Sequence, residues 1–293
     1  MGQIIEIIIF SIYMITYLFI DEGNFINIII EYVKSVNIYI KGSLVTEKKR
    51  RDELLNNFND DSNYIFFGIK YTNYPKINRN NVYFVNLEPL TCDGKYSNFN
   101  FLQEVINFNK KFTNINLLDY SRGNINILNK YNIKSEYLPY YINNEEIKNF
   151  DKEYDLCTCC SWNKRISEIY TPLSQIYKSC SIGNPAKWGD ERDDILFRSK
   201  VLINLHHREK DYNILQELRI TRCILNKIIV ISEHAIDDYL YPLNAYVIFC
   251  DYGNIVDKTK EVLSNYNEYY DKIYKNMDYE EVKKKYEKHL IKL

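Results

Sequence analysis

The chain has 293 residues, 46% of them hydrophobic, enough for one large domain or two ordinary ones. Lys and Arg number 38 against 39 Asp and Glu, a net charge of -1. With no global basic field to hold a polyphosphate backbone, general nucleic-acid binding is disfavoured.

The first feature along the chain is an apolar run, IIIFSIYMITYLFI at residues 7–20. It is short for a membrane span of about 20 residues. No Lys or Arg precedes it, and Ser11, Tyr13 and Thr16 interrupt it. It is expected to be a buried first strand (IEIIIFS, 5–11) with its following loop, a membrane anchor being the alternative, and no stable membrane insertion is expected. Glu6 breaks the myristoylation pattern.

Strand-like and helix-like runs then alternate. A helical pattern at 25–35 precedes the strand-like NIYIKG (37–42), and a helix is expected near 48–58. NYIFFGI (63–69) and NVYFVNLEP (81–89) read as strands. A helix at 102–111, the strand NINLLDYS (114–121), a helix near 124–131 and EYLPYYI (136–142) follow. Strands apolar on both faces, alternating with helices, imply parallel sheets covered by helices. The polar stretch NNEEIKNFDKE (143–153) interrupts the rhythm and reads as a linker. Two domains are expected, 1–147 and 148–293.

The second block opens with YDLCTCC (154–160) and a helix from about Asn163, with a short strand possible in KSCSIGN (178–184). KVLINLHH (200–207), a helix at 212–225, KIIVISE (227–233), NAYVIFCDY (244–252) and a helix at 254–263 continue it. The tail 266–293 is charged and Tyr-rich at helical spacing. Seven cysteines, an odd number, read as free thiols. CTCC lacks the four convergent ligands that structural zinc needs. Abundant Ile, Asn, Lys, Tyr and Phe with only 9 Gly and 6 Pro point to an AT-rich genome.

Ligands of open α/β sheets bind beyond the carboxyl ends of the strands. Four segments place polar groups there or on the helix that follows. CCSWNKR leads from a strand into a helix start, where free N–H groups favour an anion and Lys164 or Arg165 would add charge. A solvated arginine is the plain alternative. His206 ends its strand, as either a structural histidine or a ligand contact. Glu217 lies beside the apolar stripe of Ile220 and Ile224. A carboxylate buried there needs a partner, whether Arg219, Arg222, a lysine or a ligand hydroxyl. Glu233 ends the KIIVISE strand, where it can cap the backbone or grip a ribose diol. Asn226 is expected to supply a left-handed cap after the helix. Glu88, Asp119 and Arg122 stand at or after strand ends of the first block and are weaker candidates for a catalytic base.

Taken in order, YDLCTCCSWNKR, WGDERDDILFRSKVLINLHH, LQELRITRCILNKIIVISE and a strand ending in CDYGN resemble the nucleotide-sugar half of GT-B glycosyltransferases. Within them the chain is most similar to the group-1-like, CgeB-like type. The match covers about residues 154–263; the N-terminal half fits by fold rhythm. The resemblance implies two Rossmann-like domains whose parallel sheets face each other across a cleft. It implies transfer of a sugar from a nucleoside diphosphate to a glycan or protein acceptor, with no bound metal and no cofactor. Arg165 would neutralise the diphosphate, with Lys164 in place of a first arginine. His206 would approach the sugar or its phosphate, Glu217 and Arg219 would form the donor-binding pair, and Glu233 would close the motif. His206 and Glu217 are the catalytic candidates. Three positions depart from the pattern: Arg222 stands for an acid, Asn226 for Gly, and Cys160-Ser161-Trp162 for a Gly-containing loop. A non-catalytic nucleotide- or glycan-binding relative or partner subunit is the alternative. The absence of GxGxxG after any strand argues against a dinucleotide oxidoreductase. A cytoplasmic location is expected, the host cytoplasm if the source is viral.

Overall fold

Apolar runs buried on both faces set the architecture. In a computed structural model, which describes residues 15–20, 26–68, 77–95, 98, 100–142, 144–148, 150–183, 189–208 and 213–289, two fully parallel sheets form. The first lobe holds β1 (Ile15–Ile20), β2 (Ser43–Val45), β3 (Ser62–Phe67), β4 (Val82–Asn86), β5 (Asn116–Asp119) and β6 (Glu136–Tyr137), in the order β2-β1-β3-β4-β5-β6. Its helices are α1 (Ile26–Ile40), α2 (Lys48–Asn56), α3 (Phe101–Lys111) and α4 (Arg122–Asn129). The second lobe holds β7 (Tyr154–Thr158), β8 (Ser179–Ser181), β9 (Ser199–Asn204), β10 (Ile229–Glu233) and β11 (Val247–Cys250), in the order β11-β10-β9-β7-β8. Helices α5 (Lys164–Ser174), α6 (Gly189–Phe197), α7 (Glu217–Leu225), α8 (Ile255–Ser264), α9 (Tyr266–Tyr274) and α10 (Tyr279–Glu287) complete it.

The period-2 alternation of the first sheet separates two cores. Phe19, Tyr64, Phe66, Phe84 and Leu117 face one cluster with Val105 and Phe108 of α3. Leu18, Ile65, Phe67, Val85 and Leu118 face the other, which runs on through the second lobe to Val201, Ile203 and Ile231. The lobes therefore share one apolar core.

Several expectations are corrected. The expected strand 5–11 lies outside the described residues, and β1 forms from the second half of the apolar run. NIYIKG is not a strand: α1 runs on to Ile40. Val33 and Val36 are buried on its inner face, and Tyr39 packs 4.6 Å from the ring of Tyr141. Asn37 ends the helix by binding both the N–H (2.6 Å) and the C=O (3.3 Å) of Gly42, with Lys41 at φ 51° between them. The left-handed residue after α7 is Lys227 (φ 51°), not Asn226. Asn226 instead accepts the N–H of Lys148 at 2.7 Å and donates to the carbonyls of Glu146 and Arg222, tying the segment between the lobes to α7. Among the described residues EYLPYYI pairs only at Glu136–Tyr137, because Pro139 has no N–H to donate.

Side-chain bonds join the lobes at several places. Arg222 of α7 bonds Asp193 of α6 and Glu31 of α1, and Arg192 bonds the same Glu31 at 2.7 Å. This buried network explains the departure at position 222: Arg222 holds α7 to the first lobe and does not stand in for a ligand-binding acid. Helix α10 returns to the first lobe, where Tyr39 donates to Glu287 and Tyr141 donates to the carbonyl of His289. Val282 and Tyr286 of α10 are buried. Among the described residues no helix is long and apolar enough to cross a membrane.

Removing one member of a buried ion network strands the others. Arg222→Ala is expected to lower the free energy of unfolding by about 3 kcal/mol in urea titrations. Asp194→Ala, in an ion pair at the surface, is expected to change it by less than about 1 kcal/mol.

Candidate functional site

In the second sheet the chain leaves β7 for β8 on one side, then returns to β9 on the other. The point between β7 and β9 is the topological switch, and at such points the loops diverge and ligands of open α/β sheets bind at the carboxyl edge. The loop after β7 ends at Asn163 and leads into Lys164 and Arg165 of α5, and the loop after β9 holds His206 and His207. Asn163 caps α5 by accepting the N–H of Ile166 at 3.0 Å, and its amide donates to the carbonyl of His207 at 2.7 Å. One side chain thus starts the helix and fixes the two loops to each other.

Arg165 turns inward from the first turn of α5. Its guanidinium donates to both carboxylate oxygens of Glu233, Nη2 to Oε1 at 2.6 Å and Nη1 to Oε2 at 3.1 Å. Nη1 also meets the carbonyl of His206 at 3.0 Å. The ring of Tyr252, beyond β11, lies 4.1 Å from the guanidinium carbon. Glu233 Oε2 further accepts the N–H of His206 at 3.2 Å. Four adjacent strands are joined at their carboxyl ends by this one ion pair. His206 is 1% exposed, and its Nε2 is 2.9 Å from the carbonyl of His234, which only accepts, so Nε2 carries the proton. Burial holds His206 below the usual histidine range, so the ring is neutral at pH 7.

The other predicted residues disperse. Arg219 donates to Asn204 Oδ1 at 2.9 Å. Burial pushes the Cys160 thiol up, and the Arg219 charge partly opposes that. Lys164 is exposed on the outer face, 3.7 Å from Glu168. Glu217 is the first residue of α7 and is buried, yet its bond is with neither Arg219 nor Arg222. It accepts from Tyr137 of the first lobe at 2.6 Å. Burial drives its carboxyl well above the usual range, and the charges of Asp237 and Asp119 push it the same way. Arg165, His206 and Glu233 are brought together; Glu217 belongs to the seam between the lobes, and Lys164 lies outside both. Arg165 and Glu233 hold each other, where the sequence reading gave them separate ligand groups.

Sequence reasoning missed Ser121, Tyr137 and Asp237 of that seam, while Asp119 and Glu88 are among its candidates at strand ends. Asp237, after β10, accepts from Ser121 of the first lobe at 2.7 Å and from the N–H of Leu215 at 2.9 Å. A Cβ on Gly123 would sit 2.6 Å from that of Asp237, so only glycine allows this approach. Asp119, at the end of β5, accepts from Asn86, the N–H of Ser121 and Asn124 at 2.7 to 3.0 Å. Burial lifts its carboxyl to about 7 against those three donors. Since Ser121 follows β5 and Asp237 follows β10, the carboxyl edges of the two sheets face each other. Glu88, just past β4, is also pushed to about 7, by burial and then by Glu104. Its backbone is fixed by Asn86 and Asn124, which both donate to its carbonyl. The glycine missing from the Cys160 loop has a counterpart next door. A Cβ on Gly183, after β8, would fall 1.6 Å from the Cys160 carbonyl oxygen. In a chain with 9 glycines, Gly123 and Gly183 were the available signals. Among the described residues, no group of three or more His, Cys, Asp or Glu side chains is placed to hold a metal.

No family model matches the chain. An uncharacterized protein of Acanthamoeba polyphaga mimivirus is 29% identical over 224 residues, 74% of this chain and 75% of that protein. A second uncharacterized protein of the same virus is 31% identical over 166 residues, 52% of each chain. A third is 33% identical over 195 residues, 63% of this chain but 26% of its own length. The chain thus spans about half or less of two of these three relatives. Among solved structures, TarM matches at a TM-score of 0.48 with 12% identity, covering 79% of this chain and 55% of its own. An α1,3-fucosyltransferase with GDP matches at 0.44 with 12% identity, covering 99% and 94%. The glycosyltransferase SnogD from Streptomyces nogalater matches at 0.42 with 8% identity, covering 94% and 96%.

Gly183→Ala is expected to cost about 1–3 kcal/mol of stability in thermal unfolding, because the obstacle is backbone and cannot rotate away. The raised Glu88 carboxyl gives a pH signature. A carboxyl lifted in the folded state favours folding while protonated and loses that advantage as pH rises from about 4.5 towards 7. The stability of Glu88→Gln relative to the parent is therefore expected to improve by on the order of 2 kcal/mol between pH 5 and 7.5, then level off. Chemical denaturation across that range checks it.

Proposed function

We propose that the chain is a glycosyltransferase of the GT-B, CgeB-like type. It takes a nucleoside-diphosphate sugar at the carboxyl edge of the second sheet and a glycan or protein acceptor against the first. The observation that carries this reading is the convergence of Arg165, His206 and Glu233, from three separate segments, at the switch point of the second sheet. Helix α5 begins there, and a helix start with an inward arginine favours a diphosphate. Glu233 and the Tyr252 ring fix the guanidinium plane, so Arg165 meets developing negative charge on the departing diphosphate without reorganising. On this reading no metal or cofactor is required, residues 1–147 serve the acceptor and 148–293 the donor, and the reaction is cytoplasmic.

The acceptor hydroxyl needs a base from the first lobe. Glu88 supports that role best, since a carboxyl near 7 on a pinned loop can take a proton at neutral pH. A second reading, a binding protein without turnover, is favoured by the pairing of Arg165 with Glu233 and by the bonds of Ser121 and Tyr137 across the seam.

A panel of UDP- and GDP-sugars is expected to include one that raises the melting temperature by about 5 °C near 100-fold excess over its Kd. Arg165→Lys, which keeps the charge and loses the fork, is expected to remove most of that shift, and Lys164→Ala to leave it intact. A panel that leaves the folded protein unshifted rules the donor site out. Mass spectrometry of the acceptor product separates transfer from binding alone.

A further inference from the structure

Among the described residues, Nδ1 of His206 is a buried polar atom beside the switch point that the fold leaves without a hydrogen-bond partner. The ring is 1% exposed, and Nδ1 has no hydrogen-bond partner. Everything else on this residue is engaged. Nε2 donates to His234, the backbone N–H reaches Glu233, and the backbone carbonyl accepts from Arg165. Because Nε2 holds the proton, Nδ1 of the neutral ring offers only a lone pair. Leaving a buried acceptor unmet is costly, and such atoms in native folds call for a partner. A phosphate oxygen is itself an acceptor and would meet Nδ1 lone pair to lone pair. The complementary group is one that donates, and in a nucleotide sugar those groups near a diphosphate are hydroxyls.

We propose that His206 Nδ1 accepts a hydrogen bond from a hydroxyl of the bound nucleotide sugar and makes no contact with its phosphates. This narrows the nucleotide-sugar reading above and rests on it. The Arg165–Glu233 pair then handles charge, while His206 reads the presence of a hydroxyl. The two jobs are divided between neighbours linked through one carbonyl.

Two isosteric variants divide the ring. His206→Gln keeps a donor where Nε2 stands and deletes the Nδ1 acceptor; His206→Asn keeps an acceptor at the Nδ1 place. Titration calorimetry would compare inorganic pyrophosphate, UDP and GDP, and UDP-glucose and GDP-fucose. The Gln variant is expected to bind a sugar nucleotide about tenfold more weakly, as for one lost hydrogen bond, with pyrophosphate unchanged. The Asn variant is expected to stay within about twofold of the parent. If UDP or GDP weakens equally, the hydroxyl is on the ribose; if only the sugar nucleotides weaken, it is on the transferred sugar. Nitrogen-15 spectra of the His206 ring supply a readout apart from affinity: the unprotonated Nδ1 signal should shift on adding the sugar nucleotide. An unchanged signal with an unaffected Gln variant would mean an interior water at Nδ1 and would overturn the proposal, as would equal loss of pyrophosphate binding. Nucleotide binding in those cases leaves the donor-site reading standing. If no nucleotide binds the parent, both readings fall together.

Discussion

The ion pair of Arg165 with Glu233 is the constraint on which the candidate site depends. It draws the first turn of α5 toward the end of β10, and it engages both the carbonyl and the N–H of His206 on the strand between them. Burying a carboxylate and a guanidinium is unfavourable unless each is fully met. Here the two-pronged contact, the His206 backbone and the Tyr252 ring meet them. The arrangement explains why charged groups terminate apolar strands at this edge. They are costly singly and tolerable together.

The two lobes depend on each other in a way that alternating strands and helices did not suggest. One apolar cluster runs from Leu18 to Ile231. Across it lie the Ser121–Asp237 bond, the Tyr137–Glu217 bond and the Arg222 network. Each joins residues far apart in the chain, so each buries polar groups that either lobe alone would leave exposed. Glu217 shows the effect on chemistry. Its carboxyl is raised by burial at the seam, against the hydrogen bond that Tyr137 of the first lobe donates to it.

What could be read in advance follows from the range of the forces involved. Strand ends are local: KVLINLHH and KIIVISE stop being apolar where the strands stop, and so His206 and Glu233 were placed at the edge. The helix start at Asn163 was legible for the same reason. NIYIKG was misread because β-branched and aromatic residues suit strands by propensity, while burial of Val33 and Val36 and the packing of Tyr39 on Tyr141 carried the helix on to Ile40, where the Asn37 clasp on Gly42 ends it. The cap was misplaced by one residue because Asn226 spends its amide on the segment before β7. Tyr137, Ser121 and Asp237 gave no sign, since their partners sit 80 to 116 positions away. Gly123 and Gly183 were visible only as rare glycines, and what each accommodates depends on a loop from elsewhere.

Helix α10 crosses back to the lobe where the chain began, with Tyr286 and Val282 buried and His289 seated against Tyr141. This helix thus ties the two lobes together. Cutting the chain in the segment between the sheets would not release two self-sufficient modules. The front fragment would lose the cover over Tyr141, and on the rear fragment α10 would keep its bond from Tyr279 to the carbonyl of Leu225 but lose those with Tyr39 and Tyr141. Evolution can shuffle domains that are merely strung together; a fold laced in this manner has to be inherited, duplicated or lost as a unit.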